Sequence, residues 1–147
     1  YRFITLDSRG PDEIDPRGVL PVHQFDFLER EISKDDLPFV VFIHFLPFKA
    51  DSIWLDETML LLNGELLHEK LLAVRSRVRG VFFGHVHRGM QIMKDGILYS
   101  SVASTIGQLN TFPGDAKATI DFHHPPCFNL VTLIDGKTII KEHSIPR

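Results

Sequence analysis

The stretch Val81-Phe82-Phe83-Gly84-His85-Val86-His87-Arg88-Gly89 decides how this chain is read. Its first three residues are an unbroken apolar run, the composition of a strand covered on both faces of a sheet. The run then gives way at once to Gly-His-x-His. On a regular strand the imidazoles of His85 and His87 would share a face; in a turn they diverge, toward two nearby ions. Gly84 and Gly89 are expected to supply the backbone freedom of such a turn. Imidazole is a natural ligand for zinc, iron, manganese or nickel, and a catalytic metal acidifies its bound water enough to give hydroxide near neutral pH.

Upstream, Phe39-Val40-Val41-Phe42-Ile43 is a second continuous apolar run, and it stops at His44. A lone histidine beside a strand is more often a hydrogen-bonded structural residue than a ligand. Two strands that each end in histidine are a different matter, because an open α/β sheet gathers its ligand-binding groups where its strands end. His44, His85 and His87 are therefore the metal ligands expected here. A two-metal site also needs a bridging carboxylate to offset the repulsion between its ions. Asp7, after the first strand, is the only acid at an analogous position.

Between these strands the apolar residues take helical spacing. Val22, Phe25, Leu28 and Ile32 predict a surface helix from Pro21 to near Ser33. Leu66, Leu67, Leu71, Leu72 and Val74 predict another over Gly64 to Ser76, with acids near its start and bases near its end. Phe3 to Leu6 reads as a first strand, followed by a Gly-, Pro- and Asp-rich loop to Gly18. Downstream, Asp95-Gly96 and Asp135-Gly136 each sit between alternating runs, the signature of two-residue hairpins. Ser104 to Pro126 is a long polar excursion between the two hairpins. Strand, helix, strand, helix, strand and hairpins make an α/β fold with a mixed sheet.

Composition narrows the function. A net charge of −3, from 16 basic and 19 acidic residues, with no basic run, argues against a nucleic-acid or anionic-membrane partner. The longest apolar runs fall far short of the roughly 20 residues that span a bilayer. Cys127 is the single cysteine, so no internal disulfide forms, and a buried structural thiol is expected. The opening Tyr1-Arg2-Phe3-Ile4-Thr5-Leu6 lacks a leader pattern and reads as the middle of a sheet, so a preceding segment and a cytoplasmic setting are expected. Phe112, Phe122 and Phe128 have no obvious place in the core and are expected to meet the missing segment or a second copy of the chain.

With these residues in view, the sequence resembles the calcineurin-like metallophosphoesterases, and within them the class III branch of bacterial cyclic-nucleotide and glycerophosphodiester phosphodiesterases. The resemblance runs over residues 3 to 107. It is carried by Leu6-Asp7-Ser8, by Gly18 with Gln24 and Phe27-Leu28, and by Val41-Phe42-Ile43-His44 with Pro47. Trp54-Leu55-Asp56, Leu62-Asn63 and Val81 to Arg88 complete it.

The resemblance implies half of a four-layer α-β-β-α sandwich, with helices on the outer face and C-terminal hairpins. It divides the chain into a ligand-bearing part, residues 1–106, and a loop excursion with terminal hairpin, residues 107–147. It implies that His44 and His85 bind one metal and His87 the other, in a complete site holding two manganese, iron or zinc ions. Phosphodiester hydrolysis by a metal-bridging hydroxide on a small phosphoester follows. The resemblance also places Trp54 and Asp56 beside the substrate entrance; Arg88 is a further phosphate-contact candidate.

Two departures from the family pattern matter. The family reads His-His-x-Pro where this chain has His44-Phe45-Leu46-Pro47; His123-His124-Pro125-Pro126 spells that string but comes too late in the order to replace it. The family's Asp-x-His, Gly-Asp-x-x-Asp and Gly-Asn-His motifs would lie upstream of Tyr1. Asp7 matches a non-coordinating position. The chain therefore reads as a C-terminal half that needs its N-terminal half, with partial or no metal occupancy and no activity of its own. The alternative is a phosphoesterase fold that serves as a binding scaffold without catalysis.

Overall fold

A computed structural model describes residues 1–145. Its centre is a five-stranded mixed sheet in the order β1 (Arg2–Thr5), β2 (Phe39–Phe42), β3 (Val78–Phe83), β5 (Ile97–Ser101) and β4 (Gln91–Lys94). β1, β2, β3 and β5 run parallel, and β4 is antiparallel to β5. The parallel strands send their C-terminal ends to one edge, as right-handed crossovers require.

Helices cover one face of this sheet. α1 (Val22–Ile32) follows Pro21, whose ring fixes φ near the value its position needs, and buries Phe25 and Leu28. α2 (Ile53–Thr58) buries Trp54 and Leu55, and α3 (Gly64–Leu72) buries Leu67, His68 and Leu71. They pack on Ile4, Phe39, Val41, Val81 and Tyr99 in one contiguous core. Each fully buried leucine there contributes roughly 1.5–3 kcal/mol.

Two expectations about helix faces are corrected. Val22 and Leu66 are exposed rather than buried. On α3 the buried stripe is Leu67, His68 and Leu71, which puts Leu66 a third of a turn off it. The helix also stops at Leu72 rather than Ser76, and a 3-10 turn, Arg75–Arg77, leads into β3.

The other face is only partly covered, which corrects the expectation of strands buried on both sides. Phe3, Phe42 and Phe82 stack across β1, β2 and β3 with ring centroids 6.3 and 5.6 Å apart, and Phe3 is 65% exposed. Phe39 and Phe83, by contrast, are buried. The antiparallel hairpin of β8 (Cys127–Ile134) and β9 (Lys137–Ser144) stands over the open face. The Thr138 hydroxyl donates to the Arg79 carbonyl and ties the hairpin to β3. A cavity of about 850 Å³ lies between, walled by Phe42 and Phe82 on the sheet and Phe128, Val131 and Leu133 on the hairpin.

Both Asp-Gly pairs form the turns expected of them. Asp95 and Gly96 have φ of +49° and +81°, and Asp135 and Gly136 +49° and +74°, the left-handed pair that matches strand twist in a two-residue hairpin. The excursion after Ser104 holds a further short pair, β6 (Gln108–Leu109) with β7 (Ile120–Asp121). Gln108 organises it from a fully buried position: its side-chain amide donates to the Ser104 and Pro125 carbonyls and accepts from the Ser104 N–H. No helix among the described residues is long and apolar enough to cross a membrane.

Candidate metal centre

His44 lies two residues beyond β2, and His85 two residues beyond β3. Backbone pairing continues past the strands, from the Ile43 N–H to the Phe82 carbonyl at 3.0 Å and from the Gly84 N–H to the His44 carbonyl at 3.0 Å. The two histidines are thus held side by side by the sheet itself. The Ser8 hydroxyl, after β1, accepts the His44 N–H at 3.2 Å and extends the arrangement across a third strand.

The chain reverses at each ligand. His85 and His87 have φ of +69° and +48°, and the Val86 N–H closes a tight turn on the Gly84 carbonyl at 2.8 Å. Left-handed backbone at a non-glycine residue costs roughly 1–2 kcal/mol and collects at functional sites. The buried Val86 side chain anchors the turn between them. The glycines were expected to carry this freedom, and that is corrected: neither Gly84 nor Gly89 has positive φ. They supply room instead. A Cβ on Gly84 would lie 3.5 Å from His44 Nδ1, and one on Gly89 only 3.0 Å from a Glu142 carboxylate oxygen.

His44 Nε2 and His85 Nδ1 face each other at 3.1 Å. Two nitrogens each about 2.0–2.1 Å from a shared metal would stand at this separation with an angle near 95° between them. The opposite nitrogen of His85, Nε2, donates to the Pro16 carbonyl at 2.8 Å, which fixes the tautomer in which Nδ1 is an acceptor, here facing the His44 Nε2–H. His87 Nδ1 is 3.1 Å from the Gly107 carbonyl, which leaves Nε2 as the nitrogen turned away from that contact. The arrangement is a pair plus one: among the described residues, these three histidines do not form a single three-donor cluster. Nitrogen donors held by backbone carbonyls suit a zinc-, iron- or manganese-class ion.

Burial and the neighbouring imidazoles disfavour the charged form of both rings. Burial first, and then the neighbouring His87, pushes the His44 imidazole below its ordinary pKa. Burial likewise lowers His85, against the opposing pull of the Pro16 carbonyl, and His44 and His87 lower it further. Phe45 stands where the family pattern has its second histidine, its ring 4.5 Å from that of His85 and 5.1 Å from that of His44. Its buried ring packs against both imidazoles. Asp7 and Asp15 share a small recess with His44 and His85, and neither carboxylate bonds a ring nitrogen.

The residues offered for substrate contact are all engaged in holding loops. Trp54 is 3% exposed, and its indole N–H donates to the Asn110 carbonyl at 3.0 Å. Asp56 accepts the Ala50 N–H at 2.7 Å. Arg88 donates to the Leu109 carbonyl at 2.9 Å and pairs with Asp121 at 2.8 Å, clamping β6 and β7. The carbonyls of Pro16 and Gly107 went unnoticed in the sequence, since any residue type can present a carbonyl.

An α/β sheet that delivers imidazoles from successive strands to one edge places them where open α/β sheets bind their ligands. Comparison with known proteins specifies it further. The chain is 26% identical over 99% of its length to a 3′,5′-cyclic-nucleotide phosphodiesterase of Nostoc sp. (strain PCC 7120), covering 53% of that protein. It is 27% identical, again over 99% of its length, to the 3′,5′-cyclic adenosine monophosphate phosphodiesterase CpdA of Escherichia coli K12, covering 51% of it. CpdA of Haemophilus influenzae matches at 27% over 98% of the chain and 47% of its own length. No family model matches. The chain is a homologue of cyclic-nucleotide phosphodiesterases, in keeping with the calcineurin-like resemblance, and spans about half the length of the relatives it matches.

Proposed function

We propose that this chain is the C-terminal half of a two-metal phosphodiesterase, giving His44 and His85 to one ion and His87 to the other. The observation that carries this is the 3.1 Å approach of His44 Nε2 to His85 Nδ1, with Pro16 orienting the second ring from behind. When bound, a pair of divalent ions would acidify water and offset the charge of the phosphate. The chain's own residues orient the ligands. Pro16 and Gly107 fix tautomers, Phe45 packs against both imidazoles, and the Arg88 clamp sets the loop beyond His87. The names of the relatives support a small phosphodiester substrate of the cyclic-nucleotide class.

The upstream half is the partner this reading requires. Asp7 and Asp15, the acids that share a recess with His44 and His85, bond no ring nitrogen, so in this reading the bridging carboxylate comes from upstream, and the aromatic ladder of Phe3, Phe42 and Phe82 is the surface a second sheet would cover. On its own the chain therefore binds metal weakly and does not hydrolyse phosphodiesters.

Joining the chain to the segment encoded upstream should give metal-dependent hydrolysis of bis(p-nitrophenyl) phosphate. His85→Ala in the joined protein should lower that rate at least about a hundredfold, a loss of about 2.7 kcal/mol of transition-state stabilisation. A variant that keeps full rate would overturn the ligand assignment. A joined protein that binds two ions but hydrolyses nothing would favour the scaffold.

A further inference from the structure

A second group of metal-ligating side chains lies where the excursion meets the terminal hairpin. The ligand atoms of His124, Cys127 and Glu142 all lie within 4.8 Å of one another, and theirs is the only three-donor cluster of this kind among the described residues. Cys127 opens β8, Glu142 is on β9, and His124 is on the loop just before them. Two stretches of chain, residues 124–127 and β9, thus converge one nitrogen, one sulfur and one carboxylate.

We propose that His124, Cys127 and Glu142 form a further cation site, apart from the three histidines, that takes one thiophilic divalent ion of the zinc class. The ion would fasten the terminal hairpin to the excursion.

The donor set fits zinc. Cys127 Sγ and His124 Nε2 stand 3.8 Å apart. A tetrahedral ion with Zn–S near 2.3 Å and Zn–N near 2.0 Å sets them at roughly 3.5 Å. Glu142 is exposed on a flexible side chain and can rotate inward over the remaining distance. The absence of a side chain at Gly89 leaves room for the Glu142 carboxylate, since a Cβ there would lie 3.0 Å from Glu142 Oε2. The Asp121 carboxylate accepts the His123 and His124 N–H groups at 2.9 and 3.2 Å and fixes the backbone that carries the ring. Cys127 is 2% exposed, and its thiol donates to the Pro125 carbonyl at 3.3 Å. Burial, and then Glu142, favour the protonated thiol. A divalent ion reverses both influences, and its binding releases the Cys127 proton to solvent. Three protein ligands leave a fourth position for water.

The inference does not rest on the phosphodiesterase reading, and its test separates the two. Cys127 is the only cysteine, so sulfur-to-cobalt charge-transfer absorption on titration with Co²⁺ reports this site alone. The absorption should develop with one equivalent, should persist in a His44→Ala/His85→Ala/His87→Ala variant, and should vanish in Cys127→Ser. Zinc affinity at the site should fall at least about tenfold in His124→Ala. In the unaltered chain, which needs no variant to fold, zinc should slow alkylation of Cys127. No charge-transfer band at millimolar Co²⁺, or alkylation at the same rate with and without zinc, would overturn the proposal.

Discussion

His85 and His87 both accept left-handed backbone where a glycine would have been easier, and the buried Val86 between them holds the turn. The Gly-His-x-His string, the strand-terminal His44 and the turn that carries the two later histidines were legible in the sequence. What could not be read was the support beneath them. Pro16 is 69 residues from His85, and its carbonyl carries no residue-specific signal. Arg88 shows the opposite limit, since a basic residue beside the ligands suggests phosphate until its partner, Asp121, 33 residues away, is seen. Arg88 first, and then the His123 N–H, hold the Asp121 carboxyl at about 2, against an ordinary 3.8. A carboxyl lowered by folding adds stability above its unfolded value and loses it as pH falls toward the folded one. Wild type should therefore resist denaturant better than Asp121→Asn at pH 5, with the gap narrowing toward pH 3. A gap independent of pH across that range would show that the ion pair does not hold the loop.

At the scale of elements, the two Asp-Gly hairpins and the positions of α1 and the parallel strands were legible, because turn chemistry and apolar periodicity are local. The exit of α3 was not, and neither was α2. His68 explains part of this. It occupies the buried face of α3, where Nδ1 meets the Tyr99 hydroxyl at 2.8 Å and Nε2 meets Asp95 at 2.9 Å, so a polar residue replaces an apolar one in the stripe. The network joins the helix to the β4–β5 turn, and that partnership is visible only in three dimensions. The start of α3 gives a test in which two rules oppose each other. Alanine is the better helix former by about 1 kcal/mol, which favours Gly64→Ala. A Cβ at Gly64, however, would lie 1.9 Å from the Pro47 carbonyl oxygen. The clash should win, destabilising the chain by about 2 kcal/mol net. An unchanged melting temperature would mean that the Pro47 loop yields freely.

For the whole molecule, the sheet has one finished face and one that awaits cover. Helices bury Phe39, Val41 and Tyr99, while Phe3, Phe42 and, on the terminal hairpin, Phe128 and Leu130 keep contact with solvent. Continuous apolar runs in β2 and β3 pointed to burial on both sides, a pattern that records what a strand requires, not whether this chain supplies it. An apolar surface of this kind binds hydrophobic dyes and promotes association. The chain by itself should sediment as a concentration-dependent mixture of monomer and larger species. Phe42→Ser/Phe82→Ser should shift it toward monomer, and a distribution identical to wild type would place the adhesive surface elsewhere.

The backbone pairing that carries the Ile43 N–H to Phe82 and the Gly84 N–H to His44 has one more implication. Adjacent strands lie about 4.8 Å apart whatever their side chains, and the His44 and His85 rings are centred 4.8 Å apart. The backbone spacing of these two positions is thus set by main-chain hydrogen bonds that every sequence makes alike, and the side-chain rotamers bring the rings to a similar separation. Substitution can change which donors stand at the edge, and so which ion is preferred, without altering the backbone gauge at which they are offered.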